Sequence, residues 1–288
     1  MTLDVFLQAA VGGVLTGLVY ALIAAGLSLI FGLMEIVNFA HGEFLMLAMY
    51  VAFFAWLLAR LDPVVSFPLA ALVLAGLGWA TYHGIIRWVL GGPMLAQIFA
   101  TFGLAVFLRS AAQFLWGVDF RVVSAPLLGG RASLGGVFVG LPQLTASVAA
   151  LGAFVALHLF LARSETGLAL QATAQDRQAA ALMGIDTERM FALGWAIGAG
   201  CVGVAGALLT MFFYVFPDVG AAFALLAYVT VALGGFGNVP ATLLAGVIVG
   251  LVEALAGLLI APALKYAVVF LLYLGVVLWR PQGLFGRF

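Results

Sequence analysis

The chain has 288 residues, of which 66% are hydrophobic and only 8% are charged, and its formal net charge is zero. A soluble domain typically carries about 25% charged residues, so this chain lacks the polar surface that water would require. It has no basic patch that would indicate nucleic acid as a partner, and its single cysteine, Cys201, excludes a disulfide within the chain. We therefore expect an integral membrane protein.

Apolar runs of about twenty residues recur along the chain, which is the length that crosses a hydrocarbon core of about 30 Å. They predict an all-α polytopic transmembrane bundle with broken helices, because transmembrane strands would give short segments of alternating hydropathy instead. The predicted spans are 8–31, 39–59, 64–86, 94–116, 142–162, 189–215, 221–237, 240–260 and 264–280. Their number is nine if the segments beside Asn238 are both full crossings, and eight if they form one broken element.

Small residues four positions apart recur inside these spans and predict helices whose backbones pack closely. The pairs are Gly13 with Gly17, Gly194 with Gly198, and Gly246 with Gly250.

The first polar interruption is "LMEIVNFAHGEFLM", residues 33–46, which lies between two uncharged runs. Charges inside a bilayer are costly and are kept where they face water or a pathway. One interpretation is a short polar loop, but the interleaved apolar residues favour a break between helices that borders a translocation path. The candidate path residues here are Glu35, Asn38, His41 and Glu43. Because His41 and Glu43 are two residues apart, they cannot share one helix face, and no metal site is expected.

A second interruption, "ALGGFGNVPATLLAG", breaks the apolar run between residues 221 and 260. Discontinuous helices in two parts of a transporter are a pointer to the translocation site, because their free backbone groups face a cavity. We add Asn238 from this break, and the buried acid Glu253 from the span that follows, to the path candidates.

Two loops between spans stand out. Residues 117–141 are rich in glycine, and residues 163–188 form the most polar stretch of the chain. Taken as one helix from about Gly167, the second loop gathers an apolar stripe that is typical of a segment docked on a partner or a membrane. The stripe consists of Leu168, Ala172, Ala179, Leu182 and Met183. A solvated linker is the simpler alternative. Asp186 or Thr187 is expected to cap the span that follows.

Basic residues indicate the orientation of the bundle. With nine crossings, one side holds Arg87, Arg163, Arg177, Arg189, Arg280 and Arg287, and the other holds Arg60, Arg121, Arg131 and Lys265. The positive-inside rule then places the 163–188 loop in the cytoplasm and the N-terminus outside.

Four segments resemble the LivH-type permeases of bacterial branched-chain amino acid ABC importers: "GLSLIFGLMEIVNFAHGEFLML", "QATAQDRQAAALMGID", "VALGGFGNVPATLLAGVIVG" and "LWRPQGLFG". The piece "QAAALMG" also resembles the EAA loop through which such permeases contact their ATPases. Gln178 stands where that motif has its acid, and the terminal proline of the motif is missing. The ATPase-coupling candidates that this resemblance implies are Asp176, Arg177, Gln178, Ala179, Ala180 and Gly184.

The resemblance implies one permease domain over residues 1–288, with a cytoplasmic coupling loop at about 163–188, in the bacterial inner membrane. It also implies a second, LivM-like permease, two cytoplasmic ATPases and a periplasmic amino-acid-binding protein as partners. The chain has no G-x-x-x-x-G-K-[ST] run, so we expect ATP and Mg²⁺ on the partner subunits and no cofactor here. No catalytic arrangement indicates an enzyme.

These observations predict the permease subunit of an ABC importer for leucine, isoleucine, valine or related amino acids. The alternative is a self-sufficient secondary transporter or channel, in which Glu35, Glu43 and Glu253 would serve as proton or ion sites.

Overall fold

The computed structural model describes residues 3–124, 127–134 and 136–286. This part of the chain folds into eleven helices and one short antiparallel hairpin. The helices are α1 (Leu3–Met34), α2 (His41–Ala59), α3 (Pro63–Val89, with a π turn at Tyr82–Ile86), α4 (Met94–Trp116), α5 (Leu141–Arg163), α6 (Glu165–Gln175), α7 (Arg177–Leu182), α8 (Thr187–Leu209), α9 (Val219–Gly234), α10 (Val239–Leu259) and α11 (Lys265–Trp279). Strands β1 (Arg131–Leu134) and β2 (Val137–Gly140) form the hairpin.

Within the described residues, eight segments are long and apolar enough to cross a membrane, and α9, with 16 residues, is a shorter apolar helix. The predicted all-α polytopic bundle is thereby confirmed. The predicted end of the sixth span at residue 215 was wrong, because α8 ends at Leu209. Beyond it the chain is mostly irregular up to α9, and Arg121 and Val215 exchange two backbone hydrogen bonds of 2.9 Å. Hydropathy detects the apolar run "MFFYVF" but not its backbone conformation.

Helix α1 lies at the centre of the bundle, and small residues allow its neighbours to approach closely. A Cβ atom at Gly17 would lie 2.6 Å from the carbonyl oxygen of Gly246, and one at Gly13 would lie 2.7 Å from that of Gly250. A Cβ atom at Gly198 would likewise lie 2.8 Å from the carbonyl oxygen of Gly26. The predicted close packing at these glycines is confirmed.

Helix α1 is much longer than α2, and the two helices do not begin and end at the same depth in the bundle. Helix α1 has 32 residues and is about 48 Å long, whereas α2 has 19 residues and is about 28 Å long. We call the end of the bundle that holds Met34 the lower end, and the end that holds Leu3 the upper end. His41, the first residue of α2, contacts Ile23 of α1, which is eleven residues before Met34. Helix α2 therefore begins about 16 Å above the lower end of α1.

Helix α9 also begins inside the bundle. Gly220 in its first turn lies against Gly42 of α2, and Phe223 contacts Tyr20 of α1 with ring centroids 5.9 Å apart. The helix then runs parallel to α1 towards the lower end, where Gly237 lies against Gly32. The next helix, α10, returns beside α1 in the opposite direction, so α9 and α10 form a hairpin and not one broken element.

The alternating helix directions sort the basic residues between the two ends. Arg87, Arg163, Arg177, Arg189 and Arg280 lie at the lower end, while Arg60, Arg121, Arg131 and Lys265 lie towards the upper end. Arg287 lies outside the described residues. Arg109 differs from both groups, because it lies within a span, seven residues before the end of α4.

Candidate translocation site

Residues 35–40 connect α1 to α2 without helical structure, and they return from the lower end into the bundle. Glu35 ends α1 with a φ of 56°, a left-handed conformation that is uncommon outside glycine and that reverses the chain here. Glu35 itself is exposed at the lower end, while Ile36 and Asn38 are buried. The predicted break thus lies at 35–40, and His41 and Glu43 belong to the first turn of α2.

Asn38 organises this re-entrant segment. Its side-chain Oδ1 accepts a hydrogen bond from the amide of Ala40 at 3.1 Å, and its carbonyl oxygen accepts one from the hydroxyl of Tyr228 at 2.5 Å. The buried Nδ2 atom of Asn38 has no partner among the described residues. The segment is therefore anchored to α9 through its backbone, while one polar side-chain group stays unsatisfied.

His41 and Glu43 point to different neighbours, as their spacing requires. The Nε2 atom of His41 lies 2.9 Å from the carbonyl oxygen of Ile23 in α1. Glu43 forms an ion pair with Arg109 of α4, and Arg109 Nε lies 3.8 Å from Asp218 Oδ1, at the start of α9. Glu43 is buried, so a cation is needed to offset its desolvation.

The second break, at residues 235–238, lies at the lower end of the bundle and is a tight turn. Gly235 and Gly237 have φ values of 103° and 77°, which allow the tight turn from α9 into α10. The side chain of Asn238 accepts a hydrogen bond from the amide of Ala241, which caps α10, and donates one to the carbonyl oxygen of Phe285 at 3.1 Å. Asn238 therefore joins the helix start to the C-terminal segment at the lower end, away from Asn38 and Glu43.

Glu253 belongs to a separate polar group near the upper end. Its carboxylate accepts hydrogen bonds from the hydroxyl of Tyr20 at 2.8 Å and from Lys265 Nζ at 2.6 Å. These residues line a cavity of about 640 Å³ together with Gln143 and Phe213. The structure thus brings Asn38, His41 and Glu43 together and places Glu253 elsewhere.

The 163–188 segment lies at the lower end, but the prediction of one continuous helix was wrong. Asp176 has an extended backbone between α6 and α7, and its Oδ1 accepts hydrogen bonds from the amides of Gln178 and Ala179. An aspartate prefers this N-cap position, because its short side chain reaches the free amides of a helix start. The break at Asp176 divides the predicted helix into α6, with eleven residues, and the shorter α7, with six residues.

The exposure of the two helices defines what they present to a partner. Ala180 is buried against the bundle, and the guanidinium of Arg177 lies 4.9 Å from the ring centroid of Phe191. Leu182 and Met183 are almost fully exposed, and the following Gly184 has a φ of 84°. Asp186 caps α8 by accepting from the amide of Arg189, which confirms one of the two predicted caps.

A cleft of about 390 Å³ links this segment to both breaks. Glu35 lines it from the first break, Phe236 and Gly237 line it from the second, and Gln171 and Gln175 line it from α6. Residues of α6 and of both breaks therefore face one cleft.

Arg109 and Asp218 were missed as members of the site. An arginine inside an otherwise apolar span is a visible signal, but nothing in the sequence pairs it with Glu43. Asp218 follows an apolar segment and is indistinguishable from an ordinary loop acid.

Comparison with known proteins gives the family. The model of the branched-chain amino acid transport system / permease component family matches residues 9–277. The chain is 32% identical to the high-affinity branched-chain amino acid transport system permease protein BraD of Pseudomonas aeruginosa, over 98% of this chain and 96% of the relative. It is also 32% identical to the corresponding permease protein LivH of Escherichia coli, with the same coverage of both chains.

A probable LivH permease of Methanocaldococcus jannaschii is 25% identical over 96% of this chain and 91% of its own length. No solved structure shows a significant match. Permeases of this family work in systems with further subunits, and the apolar helices make this chain a multi-pass membrane protein. The chain belongs to the family of permease components of branched-chain amino acid transport systems, and it is a transport subunit and not an enzyme.

Proposed function

We propose that the chain is the membrane-spanning permease of an ABC importer for leucine, isoleucine, valine or related amino acids in a bacterial inner membrane. Its partners are a second, LivM-like permease, two cytoplasmic ATPases that bind ATP and Mg²⁺, and a periplasmic binding protein that delivers the substrate. The observation that carries this proposal is the near full-length relationship to the permeases BraD and LivH.

The lower end supports a docking role for the 163–188 segment. Leu182 and Met183 are adjacent, apolar and exposed beside the arginine residues that the positive-inside rule assigns to the cytoplasm. Exposed apolar side chains at the tip of a short helix suit a hydrophobic groove on a partner. The cleft lined by Glu35 and Gln171 gives such a partner a route to both chain breaks.

The pairing of the buried acids favours an external energy source over a proton-coupled mechanism. Glu43 is paired with Arg109, and Glu253 is paired with Lys265. Arginine does not lose its proton in proteins, so Glu43 keeps a fixed counter-ion. A proton-coupled secondary transporter needs acids that gain and lose protons during the cycle, and a permanent partner opposes protonation.

Reconstitution in liposomes tests the proposal. Liposomes that contain this chain, the second permease and both ATPases are expected to import leucine only with ATP inside and the binding protein outside. In the variant L182D/M183D, both import and the ATP hydrolysis stimulated by the loaded binding protein are expected to fall to background.

The exchange L182M/M183L is the matched control, since it keeps both side chains apolar, and it is expected to retain both activities. Import of leucine driven by a proton gradient without ATP would contradict the proposal. Full coupling in L182D/M183D would contradict the docking role.

A further inference from the structure

Three charged groups meet in the middle of the bundle. Arg109 of α4 pairs with Glu43 in the first turn of α2, and its Nε atom lies 3.8 Å from Asp218 at the start of α9. Glu43 is sixteen residues from Ala59, or about 24 Å below the upper end of α2. The start of α2 is about 16 Å above the lower end of α1, so the group lies well inside a hydrocarbon core of about 30 Å.

The exposure of these groups differs sharply. The side chain of Glu43 is 3% exposed, whereas those of Arg109 and Asp218 are 36% and 56% exposed. Charged side chains at this depth do not face lipid unless they reach the interface, and they mark pathways filled with water. The non-helical backbone of residues 35–40 beside them has the same requirement, because free amide and carbonyl groups need water or protein around them.

The two faces of α4 show which side the charges occupy. Its buried residues are Thr101, Ala105 and Ala112, and Arg109 lies on the same stripe, towards the bundle. The opposite face carries exposed Phe107 and Phe114, as lipid contact requires. Arg109 and Asp218 therefore face each other across the space between α4 and α9, and we call this space the α4–α9 groove.

Arg109 and Asp218 also retain free bonding capacity. The Nε atom of Arg109 is buried and has no hydrogen-bond partner among the described residues, so the exposed remainder of the side chain is the part that a solute can reach. Within the described part of the chain, Asp218 is held only by the distant Nε atom and by Gln113 at 3.5 Å. Leu225 lies seven residues after Asp218, on the same face of α9, and adds an apolar surface. A cation, an anion and an apolar patch in one groove match the three parts of a free aliphatic amino acid.

We infer that the groove between α4 and α9 is a water-filled part of the translocation path, in which Arg109 contacts the carboxylate and Asp218 the ammonium of the passing amino acid. The inference rests on the proposed function for the identity of the substrate. The contact is transient, because both groups are half exposed and an exposed ion pair is weak. Glu43 acts through Arg109 and positions the guanidinium.

Thiol labelling of the assembled complex in liposomes tests whether the groove is wet. In a background with Cys201→Ala, the variants Leu225→Cys and Phe107→Cys are treated with a charged, membrane-impermeant methanethiosulfonate. Only a thiolate in water reacts quickly, so we expect Leu225→Cys to react at least several-fold faster than Phe107→Cys. Phe107 is the matched control, because it is 66% exposed, compared with 52% for Leu225, and lies two residues from Arg109.

Equal labelling rates at the two positions would overturn the groove as a path. The comparison of labelling rates needs no transport. It therefore tests whether the groove contains water even if the complex carries a solute other than the proposed amino acids.

Protection and import test the substrate contact. Leucine delivered by the binding protein is expected to slow the labelling of Leu225→Cys, and this protection is expected to vanish when Asp218→Asn is added. The Asp218→Asn variant is also expected to import leucine about tenfold more slowly, which corresponds to about 1.4 kcal/mol.

The control for charge loss is Arg87→Gln, which removes an exposed pair with Glu188 at 3.5 Å and is expected to leave import unchanged. Leucine protection that persists in Asp218→Asn, or import at the unmodified rate, would overturn the contact.

Discussion

The two chain breaks resemble each other in sequence, since each combines an asparagine with flanking glycines, yet they differ in depth and in form. Residues 35–40 return into the bundle and let α2 start beside Ile23. Residues 235–238 turn at the lower end and join α9 to α10. The amide of Asn38 is buried and has no partner among the residues that the structure describes, whereas the amide of Asn238 is bonded to the C-terminal segment.

The difference follows from the lengths of the flanking helices. Helix α1 extends eleven residues beyond the contact of Ile23 with His41, so residues 35–40 must bridge about 16 Å back into the bundle. Six residues span up to about 20 Å when fully extended, so the distance can be covered even with the turn at residues 38–41. Helices α9 and α10 meet at the same level, and a four-residue turn closes them. The first break therefore places the start of a helix inside the bundle, whereas the second break only connects two helices at the lower end.

The largest loss of stability is expected at the contact between the starts of α2 and α9, the two helices that begin inside the bundle. A Cβ atom at Gly220 would lie 2.2 Å from the carbonyl oxygen of Gly42, and backbone cannot move aside as a side chain does. Gly220→Ala is expected to lower the free energy of unfolding by about 3 kcal/mol through overpacking. The control is Gly275→Ala in α11, where a Cβ atom meets nothing within 4 Å. Equal thermal stability of the two variants in detergent would contradict the described contact.

The next effect concerns transport. Glu43→Ala removes the counter-ion of Arg109, and Asn38→Ala removes the side chain that shapes the re-entrant segment. Both are expected to lower leucine import about tenfold while the complex still assembles, since a lost hydrogen bond costs about 1 kcal/mol and a lost charge-assisted one about 1.5 kcal/mol or more. Asn238→Ala, at the other break, is expected to import leucine within about twofold of the unmodified rate. If both breaks respond alike, their assignment to different roles is wrong.

A smaller effect is expected at the link between the first break and α9. Tyr228→Phe removes the hydrogen bond to the carbonyl oxygen of Asn38 and is expected to cost about 1.2 kcal/mol of unfolding free energy. The control is Tyr273→Phe, in the apolar helix α11, which is expected to change stability by less than about 0.5 kcal/mol. Thermal unfolding of the purified complex measures both. An unchanged melting temperature for Tyr228→Phe would show that the segment is not held by this bond.

The smallest effect is expected at the second break. Asn238→Ala removes the cap of α10 and the bond to Phe285, and is expected to cost about 1 kcal/mol. Asn238→Asp keeps the capping oxygen and loses only the donor, so about half of this loss is expected. Thermal unfolding of the purified complex compares the stability of the two variants. A greater loss of stability in Asn238→Asp than in Asn238→Ala would contradict helix capping as the main role of Asn238.

Much of the fold was predictable because hydropathy reports burial in lipid directly. The predicted bounds of the fourth span, residues 94–116, coincide with α4, and the glycine pairs of α1 and α10 were recognised as packing sites. The length of α1 was underestimated at its lower end, because Gly32 and Glu35 looked like the start of the interruption. As a result, the re-entrant course of residues 35–40 was not foreseen.

The members of the site were predictable only in part. Polar residues between apolar runs are visible one by one, so Asn38, His41 and Glu43 were found. Which of them pair across helices depends on the rotation and depth of each helix, and a single sequence does not contain these quantities. Arg109 and Asp218 are 109 residues apart, and only the fold brings them together. For the same reason, Glu253 was grouped with residues that it does not contact.

The depth of the two breaks is tested most directly by distances between paired spin labels in the assembled complex, in a background with Cys201→Ala. One label is placed at Leu58, at the upper end of α2, and the second at Phe39 or at Phe236, which are both partly exposed. We expect about 28 Å between positions 58 and 39, and a distance about 15 Å longer between positions 58 and 236. Equal distances would place both breaks at one depth and would contradict the account.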